Sequence, residues 1–141
     1  MKVLIVDDSE LIRQRLIDLI REFEVIHDVA LAGNAEEAYD SCSEIYPDVI
    51  ILDIHLPGEN GIKILEKIRK KNSDVKIIIL TNFPYPQYRK KCLELGADFF
   101  LDKTGEFESV RDILQEIYEG RKTKDEGRKT KDEGRKTNDE E

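Results

Sequence analysis

Residues 47–53 read Pro47-Asp48-Val49-Ile50-Ile51-Leu52-Asp53, four apolar residues in a row closed by a carboxylate. A β-branched-rich run without alternation is the pattern of a strand buried on both faces, which means a parallel sheet covered by helices. The same design recurs along the chain. Val3-Leu4-Ile5-Val6 ends in Asp7 and Asp8, Ile77-Ile78-Ile79-Leu80 ends in Thr81, and Phe99-Phe100-Leu101 is followed by Lys103. In an open parallel sheet the carboxyl ends of the strands line one edge, and ligands bind at that edge. Three carboxylates, a hydroxyl and an ammonium would therefore converge at one rim. Crowded carboxylates suit a hard divalent cation, and Lys with Thr beside them suits a phosphoryl group.

Each of these residues has a plainer reading. Asp, Ser and Thr at strand ends often cap the following helix, and Ser9 after Asp8 fits that role. One position alone favours the cap. Polar groups at the ends of four separate strands, all on one edge, favour a site.

Strand and helix patterns alternate five times. After Ser9, Ile12, Leu16, Leu19, Ile20 and Phe23 keep helical spacing. A second strand is expected over residues 25–31, interrupted by His27 and Asp28. Asn34 with Glu37 makes a variant capping box before a helix with Ala35, Ala38 and Cys42 inward. The third strand is expected over 48–52, a helix over 61–71 with Leu65 and Ile68 inward, and the fourth strand over 75–80. Pro86 suits a first helical position and Gly96 a left-handed cap. The fifth strand is expected over 98–101 and the fifth helix over 106–119, with Phe107, Val110, Leu114 and Ile117 inward. Five such units give a doubly wound α/β fold with right-handed crossovers.

The 141 residues suffice for one domain with a substantial core. No stretch approaches the roughly 18 apolar residues of a membrane span, and no leader precedes the first strand, so the expected location is the cytoplasm, with no membrane partner. Cys42 and Cys92 lack metal-ligand spacing and read as small buried hydrophobes. The net charge is −8. The acidic excess lies within residues 1–119, which argues against direct nucleic-acid binding, since phosphates would be repelled.

In order, the stretches VLIVDDSE, PDVIILDIHLPGENGI, IIILTN and GADFFLDK resemble those of receiver domains of two-component response regulators, over residues 1–119. The resemblance implies the flavodoxin-like receiver fold, a five-stranded parallel sheet in the order 2-1-3-4-5 with five helices. It implies Asp53 as the phosphoacceptor. Mg²⁺ or Mn²⁺ would be held by Asp7, Asp8, Asp53 and the backbone carbonyl of His55. Thr81, the Asn82 amide, Lys103 and the switch aromatic Phe100 would serve the phosphoryl group and the signal. Phe100 is expected to turn into space vacated when the loop after Thr81 moves inward, and Phe99 to sit in the core. The chain would then be a single-domain response regulator, not a conventional enzyme. It would take its phosphoryl group from a histidine kinase or phosphotransfer protein. It would signal to a protein target through the face of the fourth helix, fifth strand and fifth helix, with a phosphorylation-dependent homodimer as one form of output.

The chemistry agrees with the resemblance. A carboxylate attacking a phosphorus ringed by negative oxygens needs a cation to offset the repulsion. Gly58 and Gly61 are expected to give the loop after Asp53 its backbone freedom. The His55 ring reads equally as a solvated loop residue or as a group at the site mouth. Two departures from the family stand out. Thr104 follows Lys103 where Pro is usual, so the loop there is not carried over. Phe83 brings an apolar ring beside the phosphoryl position, where it would hinder an attacking water.

Residues 120–141 repeat GRKTKDE, GRKTKDE, GRKTNDE with no apolar residue, which excludes a coiled-coil seam. They are expected to be a disordered, solvated tail that extends the fifth helix by a turn at most. Three other readings of the chain are weaker. A haloacid-dehalogenase-type phosphatase wants Asp where His55 stands. A phosphorylation-independent module would not need Asp8, Asp53, Thr81 and Lys103 together. A flavodoxin-like cofactor carrier wants a phosphate loop after the first strand.

Overall fold

The computed structural model describes residues 1–126. Met1–Glu108 forms one compact unit and the segment from Ser109 a second. The elements run β1 (Lys2–Val6), α1 (Glu10–Ile20), β2 (Asp28–Ala32), α2 (Ala35–Ile45), β3 (Val49–Leu52), α3 (Gly61–Lys71), β4 (Lys76–Thr81), α4 (Pro86–Glu94), β5 (Phe99–Asp102) and α5 (Ser109–Glu126). All strand pairs are parallel, in the order β2-β1-β3-β4-β5.

The unalternated runs do what their composition dictates. Every residue of β3 is buried, as is β4 from Ile77 onward. Leu4, Val6, Ile50, Leu52, Ile77, Ile79 and Phe100 form one core with Ala38 of α2, Ile64, Leu65 and Ile68 of α3, and Cys92 of α4. The alternate residues, Ile5, Ile51 and Ile78 among them, are equally buried on the other side, where Leu16 and Ile20 of α1 are covered. Both cysteines are free, and burial pushes the Cys92 thiol up to about 11, as suits an inert core residue. Within α5 the buried residues include Val110, Ile113, Leu114 and Ile117, at helical spacing.

Four boundaries differ from the sequence pattern by more than one residue, at the start of β2, the end of α1 and both ends of α5. β2 begins at Asp28 rather than residue 25, because its parallel partner β1 begins at Lys2, paired with Asp28. Asp28 therefore opens the strand instead of interrupting it. As an edge strand, β2 leaves Val29 and Leu31 partly exposed, which is why its apolar signal is weak. α1 stops at Ile20, so Phe23 lies in the turn beyond it. α5 begins at Ser109 rather than 106, because side chains close a turn first. The Asp102 amide donates to Glu106 Oε1 at 2.8 Å, and the Thr104 amide donates to Asp102 Oδ1 at 2.9 Å. Phe107 is buried ahead of the helix, with the Arg15 guanidinium 4.2 Å above its ring. The Lys103–Thr104 peptide is trans. α5 continues through the first repeat to Glu126, about two turns past residue 119 where one was expected; the rest of the expected disordered tail lies outside the described residues.

The amino edge of the sheet is tied by one side chain. Arg69, near the end of α3, donates to the carbonyls of Gly96 (2.7 and 3.1 Å), Val75 (2.7 Å) and Asn72 (3.2 Å) and to Asp98 Oδ2 (3.1 Å). Asp98 Oδ2 in turn accepts from the Ile77 amide. This fixes the starts of β4 and β5, so their ends fall at the opposite edge in register.

Gly58 has φ 90°, the left-handed region expected for it. Gly61 owes its identity to something else. A Cβ there would lie 2.3 Å from Ile54 Cα, because the Gly61 amide donates to the Ile54 carbonyl across the loop. Close approach, not backbone freedom, requires glycine. Gly61→Ala is therefore expected to cost about 1–3 kcal/mol. Thermal denaturation should show a melting temperature lower by several degrees, and an unchanged value would contradict the close packing.

Candidate functional site

Four strand ends deliver the candidate side chains to one edge. Asp7 follows β1 and its amide donates to the Ala32 carbonyl, while Asp53 follows β3 and its amide donates to the Val6 carbonyl. The sheet's own ladder thus sets where both carboxylates emerge. Carboxylate oxygens of Asp7, Asp8 and Asp53 lie within 4.8 Å of one another. Asp7 and Asp53 are buried, and Asp8 is exposed.

Lys103 reaches into this group from just after β5. Its Nζ donates to Asp7 Oδ2 at 2.7 Å and to Asp53 Oδ2 at 3.1 Å, with the ammonium itself buried. The other carboxylate oxygens take backbone amides: Asp7 Oδ1 from Ser9 and Asp53 Oδ1 from His55, each at 2.9 Å. Burial raises the Asp53 pKa above its ordinary value, outweighing the His55 amide and the Lys103 charge. For Lys103 burial works against the charge, but the Asp7 bond and the two carboxylate charges overcome it and the pKa rises.

Thr81 closes β4 fully buried, and its Oγ1 accepts from the Phe83 amide at 3.0 Å. With that lone pair engaged, the hydroxyl proton is left to donate. Asn82 follows at the surface. Phe100 already occupies the core with 6% of its surface exposed, whereas Phe99 is only partly buried. The expected core position of Phe99 is thus not met, and the core takes the Phe100 ring instead. The His55 ring is exposed and lies against Phe83.

Some contributors were not legible in the sequence. Arg13, one turn into α1, donates from Nη1 to the Asp7 carbonyl at 2.6 Å and holds the strand end; its spacing of four from the Ser9 cap was the available signal. Tyr88 of α4 joins the His55 ring. Glu59 in the loop after Asp53 accepts from Tyr39 at 3.2 Å and from Lys67 at 2.9 Å, so α2 and α3 both hold that loop.

Hard oxygen donors, one of them open to solvent, match Mg²⁺ chemistry. Three carboxylates against one ammonium leave two uncompensated negative charges. The donor set therefore fits a divalent cation.

A family model described as the response regulator receiver domain matches residues 3–115. The chain belongs to that family and is a receiver domain of a response regulator, a signalling domain rather than a conventional enzyme. Receiver domains bind Mg²⁺ at an acidic pocket, and response regulators receive phosphoryl groups from kinases. Similar proteins include the uncharacterized transcriptional regulatory protein YvfU of Bacillus subtilis, 35% identical over 107 residues, covering 76% of this chain and 52% of that protein. Response regulator UvrY of Escherichia coli is 31% identical over 120 residues, covering 85% of this chain and 55% of its own. The chain spans about half the length of these curated relatives. The response regulator domain of Thermotoga maritima CheB superposes with a TM-score of 0.74 at 31% identity, over 84% of this chain and 94% of that one. Among the described residues no helix is long and apolar enough to cross a membrane.

A raised carboxylate pKa means that ionised Asp53 costs folding stability above its unfolded pKa, and that the cost fades as pH falls through that range. In metal-free buffer Asp53→Asn should therefore melt higher than the parent near pH 7, and the difference should shrink toward pH 4. A variant that melts lower at neutral pH would show that the Lys103 pair outweighs burial.

Proposed function

We propose that this receiver domain accepts a phosphoryl group on Asp53 from a histidine kinase or phosphotransfer protein and passes the signal to a protein target. The observation that supports this best is the cluster itself: Asp7, Asp8 and Asp53 with Lys103 between two of them, and the Thr81 hydroxyl at the same edge. A Mg²⁺ or Mn²⁺ ion on Asp8 and Asp53, with Asp7 acting through water and the His55 carbonyl completing the protein's share, would neutralise the phosphoryl oxygens.

The chain's own groups do the rest. β3 is buried along its whole length and paired on both edges, so it would present the Asp53 nucleophile in a fixed direction. An oxygen of Asp53 forms the new bond to phosphorus. Lys103, already on Asp53, can transfer one of its donors to a phosphoryl oxygen as the carboxylate charge is lost. The Thr81 proton and the Asn82 amide supply two further donors. Because Thr81 Oγ1 holds the Phe83 amide, any movement of Thr81 toward the phosphoryl group pulls the segment that leads into α4. That would couple the chemistry to the face carrying α4 and β5, within the expected α4-β5-α5 output surface. The Phe83 and His55 rings, one apolar and both bulky, stand where a hydrolytic water would enter and should prolong the phosphorylated state.

Incubation with a small phosphodonor, followed by intact mass measurement, tests the assignment. One phosphoryl group is expected with Mg²⁺, none in excess chelator, and none for Asp53→Asn. Asp7→Asn should raise the Mg²⁺ concentration needed rather than abolish labelling. Equal labelling in chelator would overturn the metal assignment, and labelled Asp53→Asn would overturn the acceptor.

A further inference from the structure

The loop between β3 and α3 is held differently on its two sides. On the inner side Ile54 and Leu56 are buried, and the Gly61 amide donates to the Ile54 carbonyl. The outer arm is open: Pro57 and Gly58 are exposed, and a Cβ at Gly58 would meet nothing within 4 Å. One carboxylate ties that arm to the body of the domain. Glu59 Oε1 accepts from the Tyr39 hydroxyl of α2 at 3.2 Å, and Glu59 Oε2 pairs with Lys67 Nζ of α3 at 2.9 Å. The three side chains close on one another, since Lys67 Nζ also stands 5.6 Å from the centroid of the Tyr39 ring.

The same loop starts at the carboxylate cluster. The His55 amide donates to Asp53 Oδ1 at 2.9 Å, and the His55 carbonyl is the backbone ligand of the proposed cation. A cavity of about 480 Å³ is lined by Asp8 and by residues 54–58, so the loop forms a wall beside the exposed carboxylate. A side-chain ligand can adjust its rotamer to an ion, but a backbone carbonyl lies wherever the chain puts it. A loop already held in place also spares the entropy of ordering it when the ion arrives.

We propose that Tyr39, Glu59 and Lys67 form a positioning clamp that presets the loop after Asp53 for a divalent cation, and so raises its affinity without touching the ion. This rests on the metal reading of Asp7, Asp8 and Asp53 and adds residues on two helices that act on that site through the loop. The clamp is open to solvent, so it carries the modest worth of an exposed ion pair, about two- to fivefold in a dissociation constant. Charge alone predicts a different result for two of its members. Removing the Lys67 ammonium takes a positive charge away from the neighbourhood of a cation, which through space would tighten binding or leave it unchanged. Removing the Tyr39 hydroxyl changes no charge at neutral pH. Loss of the clamp weakens binding in both.

The test titrates the intact chain with Mg²⁺ by calorimetry and compares the parent with Tyr39→Phe, Lys67→Met and Lys70→Met. The last removes the same charge from α3 at the Glu66–Lys70 contact of 4.0 Å, away from the loop. Amide exchange over residues 54–61 is followed in metal-free protein. The dissociation constant should rise about two- to fivefold in Tyr39→Phe and in Lys67→Met and stay at the parental value in Lys70→Met. Exchange over residues 54–61 should quicken in the first two variants alone. Unchanged affinity in Tyr39→Phe, tighter binding in Lys67→Met, an equal loss in Lys70→Met, or unaltered exchange over the loop each overturns the clamp while leaving the metal reading intact. No saturable Mg²⁺ binding by the parent overturns the metal reading and the clamp with it.

Discussion

A buried ammonium between two buried carboxylates is the constraint around which this domain is arranged. Lys103 comes from the last strand, Asp7 from the first and Asp53 from the third, and they meet within 2.7 and 3.1 Å. Such a group does little for stability by itself, because taking its charges out of water costs about as much as their attraction returns. It needs a scaffold that fixes three strand ends independently of the ions. The sheet provides that scaffold through parallel register, through residues buried on both faces, and through Arg69 tying the start of β4 and β5 at the opposite edge.

The same arrangement leaves the site deliberately incomplete in charge. Asp8 sits in solvent beside the buried pair, and the cluster carries two negative charges more than Lys103 can balance. A divalent cation would meet that deficit and would offset the repulsion that an approaching phosphoryl dianion meets in the proposed function. Thr81, at the adjacent strand end, connects this balance to the outside through the Phe83 amide. In the proposed function the chemistry and the signal would share one short stretch of backbone after β4.

How legible all this was in the sequence depended on how local its cause was. Asp7, Asp53, Thr81 and Lys103 could be read because each ends an apolar run whose lack of alternation already demands a doubly covered parallel sheet. Asn34 and Pro86 were legible because capping and first-turn preferences act within a few residues. The start of β2 was not, since the length of an edge strand is set by its partner. Nor was the start of α5, which waits on the Asp102–Glu106 bonds. Gly61 was recognised as necessary for the wrong reason, because the Ile54 backbone that crowds it is brought there by the loop. Arg69 and the rings around His55 draw their partners from several segments, and no spacing in the chain announces them.

The most direct measurement of the charge balance at the strand ends is calorimetric titration of the intact chain with Mg²⁺. A single saturable site is expected. It should weaken in Asp8→Ala, which removes the solvent-exposed carboxylate, and tighten in Lys103→Met, which removes the competing ammonium. The absence of saturable binding would contradict the account, as would an affinity indifferent to both substitutions.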